Sequence, residues 1–211
     1  MIIAQHIVKK FQNGDVETQV LRDVSLHIKS GEFVAIMGKS GAGKSTLMYQ
    51  LSLLDHPTSG DISVDGQMVS ALSHDERTQF RLDYLGYIFQ DYALVPELTA
   101  VENVMIPLMM QGKSTDEALQ IARASLAKIN LAHRENNLPS QMSGGEQQRV
   151  SIARAVAHNP KILFADEPTA NLDSESSKAV IDIFRSLHAA GQTIVMVTHE
   201  PEYTTYCDRI I

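Results

Sequence analysis

A nine-residue stretch, GKSGAGKST at positions 38–46, constrains the fold of this chain more than any other segment. The apolar run 33–37 before it is typical of a strand buried on both faces of a sheet. The segment after it, 44–54, has helical spacing with no breaker before His56-Pro57. A strand, a glycine-rich turn and a helix in this order form a phosphate-binding loop, because glycines let the backbone approach phosphate oxygens closely. The sequence therefore predicts an α/β fold that binds a nucleotide phosphate.

Each side chain of the loop has a predicted task. Lys44 is expected to reach the β- and γ-phosphates, and the Ser45 hydroxyl is expected to ligate Mg²⁺. Lys39 is as consistent with a solvated charge as with a ligand contact. The residues predicted to bind the nucleotide here are Gly38, Lys39, Ser40, Gly41, Ala42, Gly43, Lys44, Ser45 and Thr46.

A second motif, KILFADE at 161–167, is an apolar strand that ends in two carboxylates. The strand would place Asp166 at the carboxyl edge of the sheet, where open α/β sheets bind their ligands. There Asp166 would hold Mg²⁺ through a water, and Glu167 would act as general base on the attacking water. Carboxylates also end strands simply because they are solvated. Together with the glycine loop, however, the pair indicates a nucleotide-hydrolysing site.

The rest of the chain divides by pattern. We expect β structure to dominate the first third, with a turn at Asn13-Gly14-Asp15 and a hairpin at Asp65-Gly66. Residues 91–158 show helical patterns and no convincing strand. Other predicted elements are helices near 74–83 and 174–189, a strand that ends at Gln90, and a last strand beginning at DRII, 208–211. We predict one domain, 1–211, with a nucleotide-binding core and β subdomain (1–90 and 159–211) and a helical subdomain (about 91–158).

Composition narrows the compartment and the partners. The net charge of −7 argues against general nucleic-acid binding. Cys207 is the only cysteine, so we expect a reducing compartment and no intrachain disulfide. The sequence has no apolar run of the roughly 18 residues that cross a bilayer, and its N-terminus is not typical of a signal peptide. If the protein works at a membrane, we expect it to do so through a partner.

The segment 142–149, MSGGEQQR, decides among nucleotide-hydrolysing families. Ser143 is a good helix N-cap, and Gly144-Gly145 would leave the helix start open to an anion. An ordinary capped helix is the alternative. Here the sequence resembles the ATP-binding-cassette (ABC) family, whose signature is usually written LSGGQ. Met142 replaces its Leu and Glu146 its Gln, and neither change predicts an inactive protein because Lys44, Glu167 and His199 are present.

The resemblance covers nearly the whole chain and implies further roles. It implies the ABC ATPase fold, with a mixed central sheet, an N-terminal antiparallel β subdomain and an inserted helical subdomain. It implies ATP and Mg²⁺ as ligands and a dimer, homomeric or paired, because the signature of one subunit faces the γ-phosphate bound by the other. The implied trans residues are Ser143, Gly144, Gly145 and Glu146. The implied interface loop is Asn171-Leu172-Asp173, although Asn and Asp are also common helix caps.

Three single residues complete the implied site. Gln90 corresponds to the glutamine that touches Mg²⁺ and couples to the partner, and His199 to the histidine that contacts the γ-phosphate. Phe11 stands where the family places an aromatic, often Tyr, that stacks on adenine. A core Phe on a strand is the alternative for Phe11. The catalytic set is therefore Glu167, His199 and Lys44, and the metal set is Ser45, Gln90 and Asp166.

The stretch 72–110, with SGGEQQRVSIARA and DEPTANLD, is similar to the ABC branch of lipoprotein release and macrolide or antimicrobial-peptide export. The resemblance implies an ATPase subunit at the cytoplasmic face of the membrane that drives an integral-membrane permease. We expect residues 90–110, with Met105, Met109 and Met110, to line the groove for that permease. A Met-containing helical core is the alternative. The rival functions are a soluble ABC ATPase of DNA repair or translation, a kinase, and a non-catalytic module.

Overall fold

The computed structural model describes residues 1–14 and 16–211, and two sheets organise it. Its strands are β1 (Ile2–Asn13), β2 (Val16–Ile28), β3 (Phe33–Ile36), β4 (Ser59–Val64), β5 (Gln67–Met68), β6 (Leu85–Ile88), β7 (Ile162–Asp166), β8 (Thr193–Val197) and β9 (Arg209–Ile210). Its α-helices are α1 (Lys44–Leu51), α2 (His74–Tyr84), α3 (Ala100–Met110), α4 (Thr115–Lys128), α5 (Gly144–Val156) and α6 (Ser174–Ala189).

The central sheet has the strand order β6-β7-β8-β3-β9, and every neighbouring pair is parallel. Parallel strands end at a common edge, so the segments that follow β3, β6, β7 and β8 meet there. The predicted α/β class is confirmed with one correction. The central sheet is parallel rather than mixed, because the antiparallel strands form a sheet of their own.

That second sheet has the order β2-β1-β4-β5, and all its pairs are antiparallel. Its long β1-β2 ribbon is irregular, with His6 and Asp23 at φ of 55° and 58°. The predicted hairpin at Asp65-Gly66 joins β4 to β5. Of the predicted turn Asn13-Gly14-Asp15, Asp15 lies outside the described residues.

The inner strands β3, β7 and β8 of the central sheet are almost entirely apolar and buried because both faces are covered. In β3, Val34 and Ile36 pack in the cluster that contains α1, whereas Phe33 packs with Phe184 of α6. β7 and β8 divide their residues between the same two clusters by strict alternation. This burial on both faces explains why these strands are continuous apolar runs in the sequence. The strands end close to the positions where polar residues begin.

Helix α1 is shorter than the sequence predicts. We expected helical structure through Leu54, but α1 ends at Leu51. Leu53 adopts φ of 60°, and the N–H groups of Leu54 and Asp55 both donate to the Tyr49 carbonyl, at 3.0 and 3.1 Å. The strand predicted to end at Gln90 likewise ends two residues earlier, at Ile88, and Gln90 lies in the loop that follows.

Residues 91–158 contain α3, α4, α5 and two short 3₁₀ turns, Ala132–Arg134 and Pro139–Gln141. Helices α3, α4 and α5 each begin with a capping box, at Thr99, Ser114 and Ser143. They share a hydrophobic cluster of their own, although Ile152 and Ala155 of α5 pack against the central sheet. Within the described residues, no helix has the length and apolar character needed to span a bilayer.

Candidate nucleotide-binding site

The glycine loop between β3 and α1 is shaped around the side chain of Lys44. Its Nζ donates to the carbonyls of Gly38 and Lys39 at 3.1 and 3.3 Å. Gly43 has φ of 91°, and a Cβ there would lie 3.0 Å from a methyl of Val20 on β2. Helix α1 has no side-chain N-cap and no acidic residue in its first turn. The loop thus presents an ammonium group and uncapped backbone N–H groups, which suit a phosphate.

Ser45 and Asp166 meet across the carboxyl edge of the sheet. The Ser45 Oγ donates to Asp166 Oδ1 at 3.1 Å, and the Tyr87 hydroxyl lies 3.5 Å from the other carboxylate oxygen. Burial raises the pKa of the Asp166 carboxyl, while the Ser45 bond opposes that rise. A hydroxyl and a carboxylate are hard oxygen donors that suit Mg²⁺, which binds through few protein ligands. The residues present therefore fit this ion.

Glu167 lies beside His199, with 3.4 Å between Oε2 and Nδ1. The backbone of Glu167 has φ of 45°, and its N–H donates to the Val197 carbonyl at 3.0 Å. The left-handed conformation stands directly after the last residue of β7, Asp166. A carboxylate and an imidazole thus lie together at the strand ends, next to Asp166. Either type of side chain can act as a general base.

Gln90 lies in the exposed loop after β6 and contacts the predicted interface loop. The Asn171 side-chain amide donates to the Gln90 carbonyl at 3.2 Å. Two residues on, the Tyr92 hydroxyl donates to the Asn171 carbonyl at 3.4 Å. The loops of Gln90 and Asn171 are therefore joined by two bonds in one subunit.

The signature segment at the start of α5 is held by its own chain. The Ser143 hydroxyl accepts from the Glu146 N–H at 3.2 Å, and Glu146 Oε2 accepts from the Ser143 N–H at 2.9 Å. Glu146 Oε1 accepts from Arg134 Nε at 2.9 Å. The Ser143 backbone N–H, with Arg134, lowers the pKa of Glu146, so its carboxylate is charged at neutral pH.

The two signature glycines face side chains of the same subunit. A Cβ on Gly144 would lie 2.8 Å from the Tyr92 oxygen, and a Cβ on Gly145 would lie 2.4 Å from Ser176 Oγ. Part of the space that we expected to be open to an anion is thus taken up by Tyr92 and Ser176. Asp173 caps α6 by accepting from the Ser176 N–H and hydroxyl, both at 2.9 Å.

Phe11 is an exposed residue of β1 rather than a core residue, with 44% of its surface accessible. Lys9 Nζ stands 4.9 Å from the ring centroid and also bonds Asp55. The β1-β2 ribbon that carries Phe11 reaches the glycine loop through Val20. An exposed aromatic side chain on this ribbon could stack on a base.

The predicted residues form two groups in the subunit. Lys44, Ser45, Asp166, Glu167 and His199 gather with the loop at the sheet edge. Ser143 to Glu146 gather with Tyr92 and the segment 171–176. Among the described residues, no side-chain hydrogen bond joins the signature segment to loop 38–46.

Sequence reasoning did not identify the residues that support these groups. Both Nη atoms of Arg154 donate to the loop after Gln90, at 2.6 Å to the Ala93 carbonyl and 3.0 Å to the Tyr92 carbonyl. Asn103, fully buried, holds the same loop through Val95. Of the residues that support the two groups, only Ser176 could have been identified from the sequence, because an Asp three residues before it is typical of a helix N-cap.

Comparisons with known proteins agree with this geometry. Residues 21–170 match the model of a family described as ABC transporter. The chain is 48% identical to an uncharacterized ABC transporter ATP-binding protein of Methanocaldococcus jannaschii, covering all of this chain and 94% of that protein. It is 46% identical to the macrolide export ATP-binding/permease protein MacB of Brucella melitensis biotype 1, and the match covers all of this chain. It spans only 33% of that MacB protein.

A solved structure shows the same architecture. It is the dimeric, post-hydrolysis state of the ATP-binding cassette MJ0796 bound to ADP and Pi. The TM-score is 0.93 at 40% identity, with 100% of this chain and 93% of that chain covered. That similar cassette is therefore dimeric in a state that holds ADP and Pi.

Proposed function

This chain belongs to the ABC transporter family, and from that premise we propose how its residues carry out ATP hydrolysis and couple it to a membrane partner. The chain is an ATP-binding, ATP-hydrolysing cassette of a transporter, and it dimerises. Each composite site takes its phosphate loop and carboxylates from one subunit and its signature from the other. The observation that carries this proposal is that, among the described residues, no side-chain hydrogen bond joins the signature segment to the phosphate loop.

In the proposed site, ATP·Mg²⁺ lies on the glycine loop. Lys44 contacts the β- and γ-phosphates, and Ser45, Gln90 and Asp166 hold Mg²⁺, which supplies charge neutralisation when bound. Phe11 stacks on the adenine ring. His199 contacts the γ-phosphate.

Glu167 is the proposed general base. Its contact with His199 and its strained backbone hold the carboxylate at the sheet edge, where it can orient and deprotonate the attacking water. From the partner, Ser143 to Glu146 close over the same phosphate, while Asn171, Leu172 and Asp173 cross the interface. The family's soluble members in DNA repair or translation are not favoured by the relatives found.

The permease groove is proposed at residues 90–110. Val95, Met109 and Met110 are exposed there, with 37%, 43% and 61% of their surfaces accessible. Met105 instead packs partly against the helical cluster, so the alternative of a core role holds for that residue. An apolar helix of an integral-membrane permease at the cytoplasmic face fits this surface. The relative MacB, named as one ATP-binding/permease protein, supports such a partner.

The test is Glu167→Gln, measured for nucleotide binding, dimerisation and turnover. We expect ATP binding to persist, turnover to fall about 10²- to 10⁴-fold as for loss of a general base, and the dimer to accumulate with ATP. Glu202→Gln, which neutralises an exposed carboxylate close to His199 in sequence, is the control. Normal turnover in Glu167→Gln would show that another group is the base. Failure of ATP to produce a dimer would contradict the composite site.

A further inference from the structure

Glu146 places a carboxylate in the signature segment, next to the proposed position of the partner's polyphosphate. An exposed charge there would repel the nucleotide that the segment has to approach. The structure shows how this conflict is resolved within the subunit, through the side chain of Arg134.

Both carboxylate oxygens of Glu146 are engaged by its own chain. Oε2 accepts the Ser143 N–H and Oε1 accepts Arg134 Nε, each at 2.9 Å. Only 15% of the Glu146 side chain is accessible. The carboxylate is therefore turned back along the chain and is not free to follow a ligand.

Arg134 comes from a backbone that is itself fixed. It closes the 3₁₀ turn Ala132–Arg134, where its N–H donates to the Leu131 carbonyl at 3.0 Å and its carbonyl accepts from Asn137 at 2.9 Å. The adjacent Glu135 carbonyl accepts from Val101 on α3 at 2.9 Å. The guanidinium thus reaches α5 from a turn that is closed by its own backbone bonds and tied to α3.

We propose that Arg134 is a positioning residue that neutralises Glu146 and so lets the signature segment approach the nucleotide of a second subunit. This inference rests on the composite site proposed above. With the ion pair formed, the segment presents its capped helix start without a net negative charge. Without Arg134, the capping box keeps the carboxylate in place but leaves its charge unpaired.

The competing role for Glu146 is capping alone. A glutamine at 146 can still accept the Ser143 N–H through its amide oxygen, because capping boxes use Glu or Gln. If capping were the whole role, removing Arg134 would have the same effect with Glu or Gln at 146. Charge neutralisation predicts instead that Gln at 146 makes Arg134 dispensable.

The experiment uses Glu167→Gln as the parent, in which the ATP-bound dimer accumulates, and measures the ATP concentration that gives half-maximal dimer by analytical ultracentrifugation. Adding Arg134→Ala is expected to raise that concentration at least about threefold, the size of a partly exposed ion pair. Adding Arg134→Lys is expected to restore most of the affinity. Adding Arg134→Ala and Glu146→Gln together is expected to match Glu146→Gln alone.

Arg123→Ala is the matched control. Arg123 forms a comparable pair with Glu135, at 2.9 and 3.1 Å, in the same helical segment, and this pair makes no hydrogen bond to Glu146. It is expected to leave the dimer titration unchanged. Binding of a fluorescent ATP analogue to the monomer and the melting temperature are measured for each variant, so that a folding defect is seen directly.

Two results would overturn the inference while leaving the composite site intact. One is an Arg134→Ala titration equal to that of the parent. The other is a defect that Glu146→Gln does not relieve, which would mean that Arg134 acts on the fold or on the phosphate itself. A parent that stays monomeric with ATP would overturn the composite site, and this inference with it.

Discussion

A Cβ atom on Gly144 would lie 2.8 Å from the phenolic oxygen of Tyr92, so the signature segment and the loop after Gln90 touch with no room for a methyl group. The neighbouring glycine is tighter, since a Cβ on Gly145 would lie 2.4 Å from Ser176 Oγ and 2.7 Å from Ser176 Cβ. Gly145 is therefore required by packing inside one subunit, whereas Gly144 is crowded by the end of a side chain that can move.

We expect Gly145→Ala to destabilise the nucleotide-free protein by about 1–2 kcal/mol, as overpacking does. Gly144→Ala should cost less, because the end of the Tyr92 side chain can move whereas Ser176 Cβ cannot. The helix propensity of alanine offsets up to about 1 kcal/mol in both. Urea unfolding without ATP measures these differences.

Pairing Gly144→Ala with a smaller residue at 92 isolates the clash. Tyr92→Phe should relieve Gly144→Ala, since the remaining ring carbon would stand 3.7 Å from the new Cβ, an ordinary contact. If Gly145→Ala were as stable as the parent, the close contact with Ser176 would not constrain the segment.

Arg154 should control the order of the loop after Gln90. Its guanidinium bonds the carbonyls of Tyr92 and Ala93, two residues at φ of 63° and 48° that are not glycines. Arg154→Ala should lower the free energy of unfolding by about 2 kcal/mol, as for loss of hydrogen bonds to a charged group. It should also speed amide exchange in residues 90–99.

Hydrogen exchange with mass spectrometry measures that loop directly. Lysine at position 154 can make only part of the contact, so the exchange rate in Arg154→Lys should lie between those of the parent and Arg154→Ala. Arg185→Ala, which removes an exposed pair with Asp182, should leave the exchange of residues 90–99 unchanged. Equal exchange in Arg154→Ala and the parent would show that the loop is ordered by other contacts, such as those of Asn103.

The parts of the fold and site that depend on local pattern were predictable. Helix α6 spans Ser174–Ala189, as expected from its cap and apolar spacing. The segments that carry Lys44, Asp166, Glu167 and His199 come at or directly after the ends of buried parallel strands, which lie at one edge of the sheet. When a sequence motif directly follows a strand of a parallel sheet, the sheet topology determines where the residues of that motif lie.

Contacts between distant segments were not predictable. Nothing in GG at 144–145 indicates that Tyr92 and Ser176 fill the space beside it, because those contacts join residues 31 to 52 positions apart. Nor does Leu53 carry a glycine or proline signal for the left-handed turn that ends α1. Tertiary packing determines these features, and the local propensities of the residues carry no information about that packing.

Cys207 should react slowly in the native protein. Burial, with a contribution from Asp208, raises the pKa of its thiol to about 12. Because the thiolate is the reactive form, a higher pKa leaves far less of it at pH 8 than in an unfolded chain. Alkylation with iodoacetamide at pH 8 should be at least about 100-fold slower in native protein than in urea. Similar rates would show that the thiol is accessible and ionised.

Met109→Glu should uncouple ATP hydrolysis from the proposed permease. Met109 is 43% exposed on α3, and a carboxylate there would have to be desolvated against an apolar helix of the partner. We expect ATP binding by the isolated chain to be unchanged and stimulation of ATPase activity by the reconstituted permease to be lost. Met68→Glu is the matched control, because Met68 is 46% exposed on β5 of the antiparallel sheet, outside residues 90–110. Full stimulation of Met109→Glu would place the permease groove elsewhere on the surface.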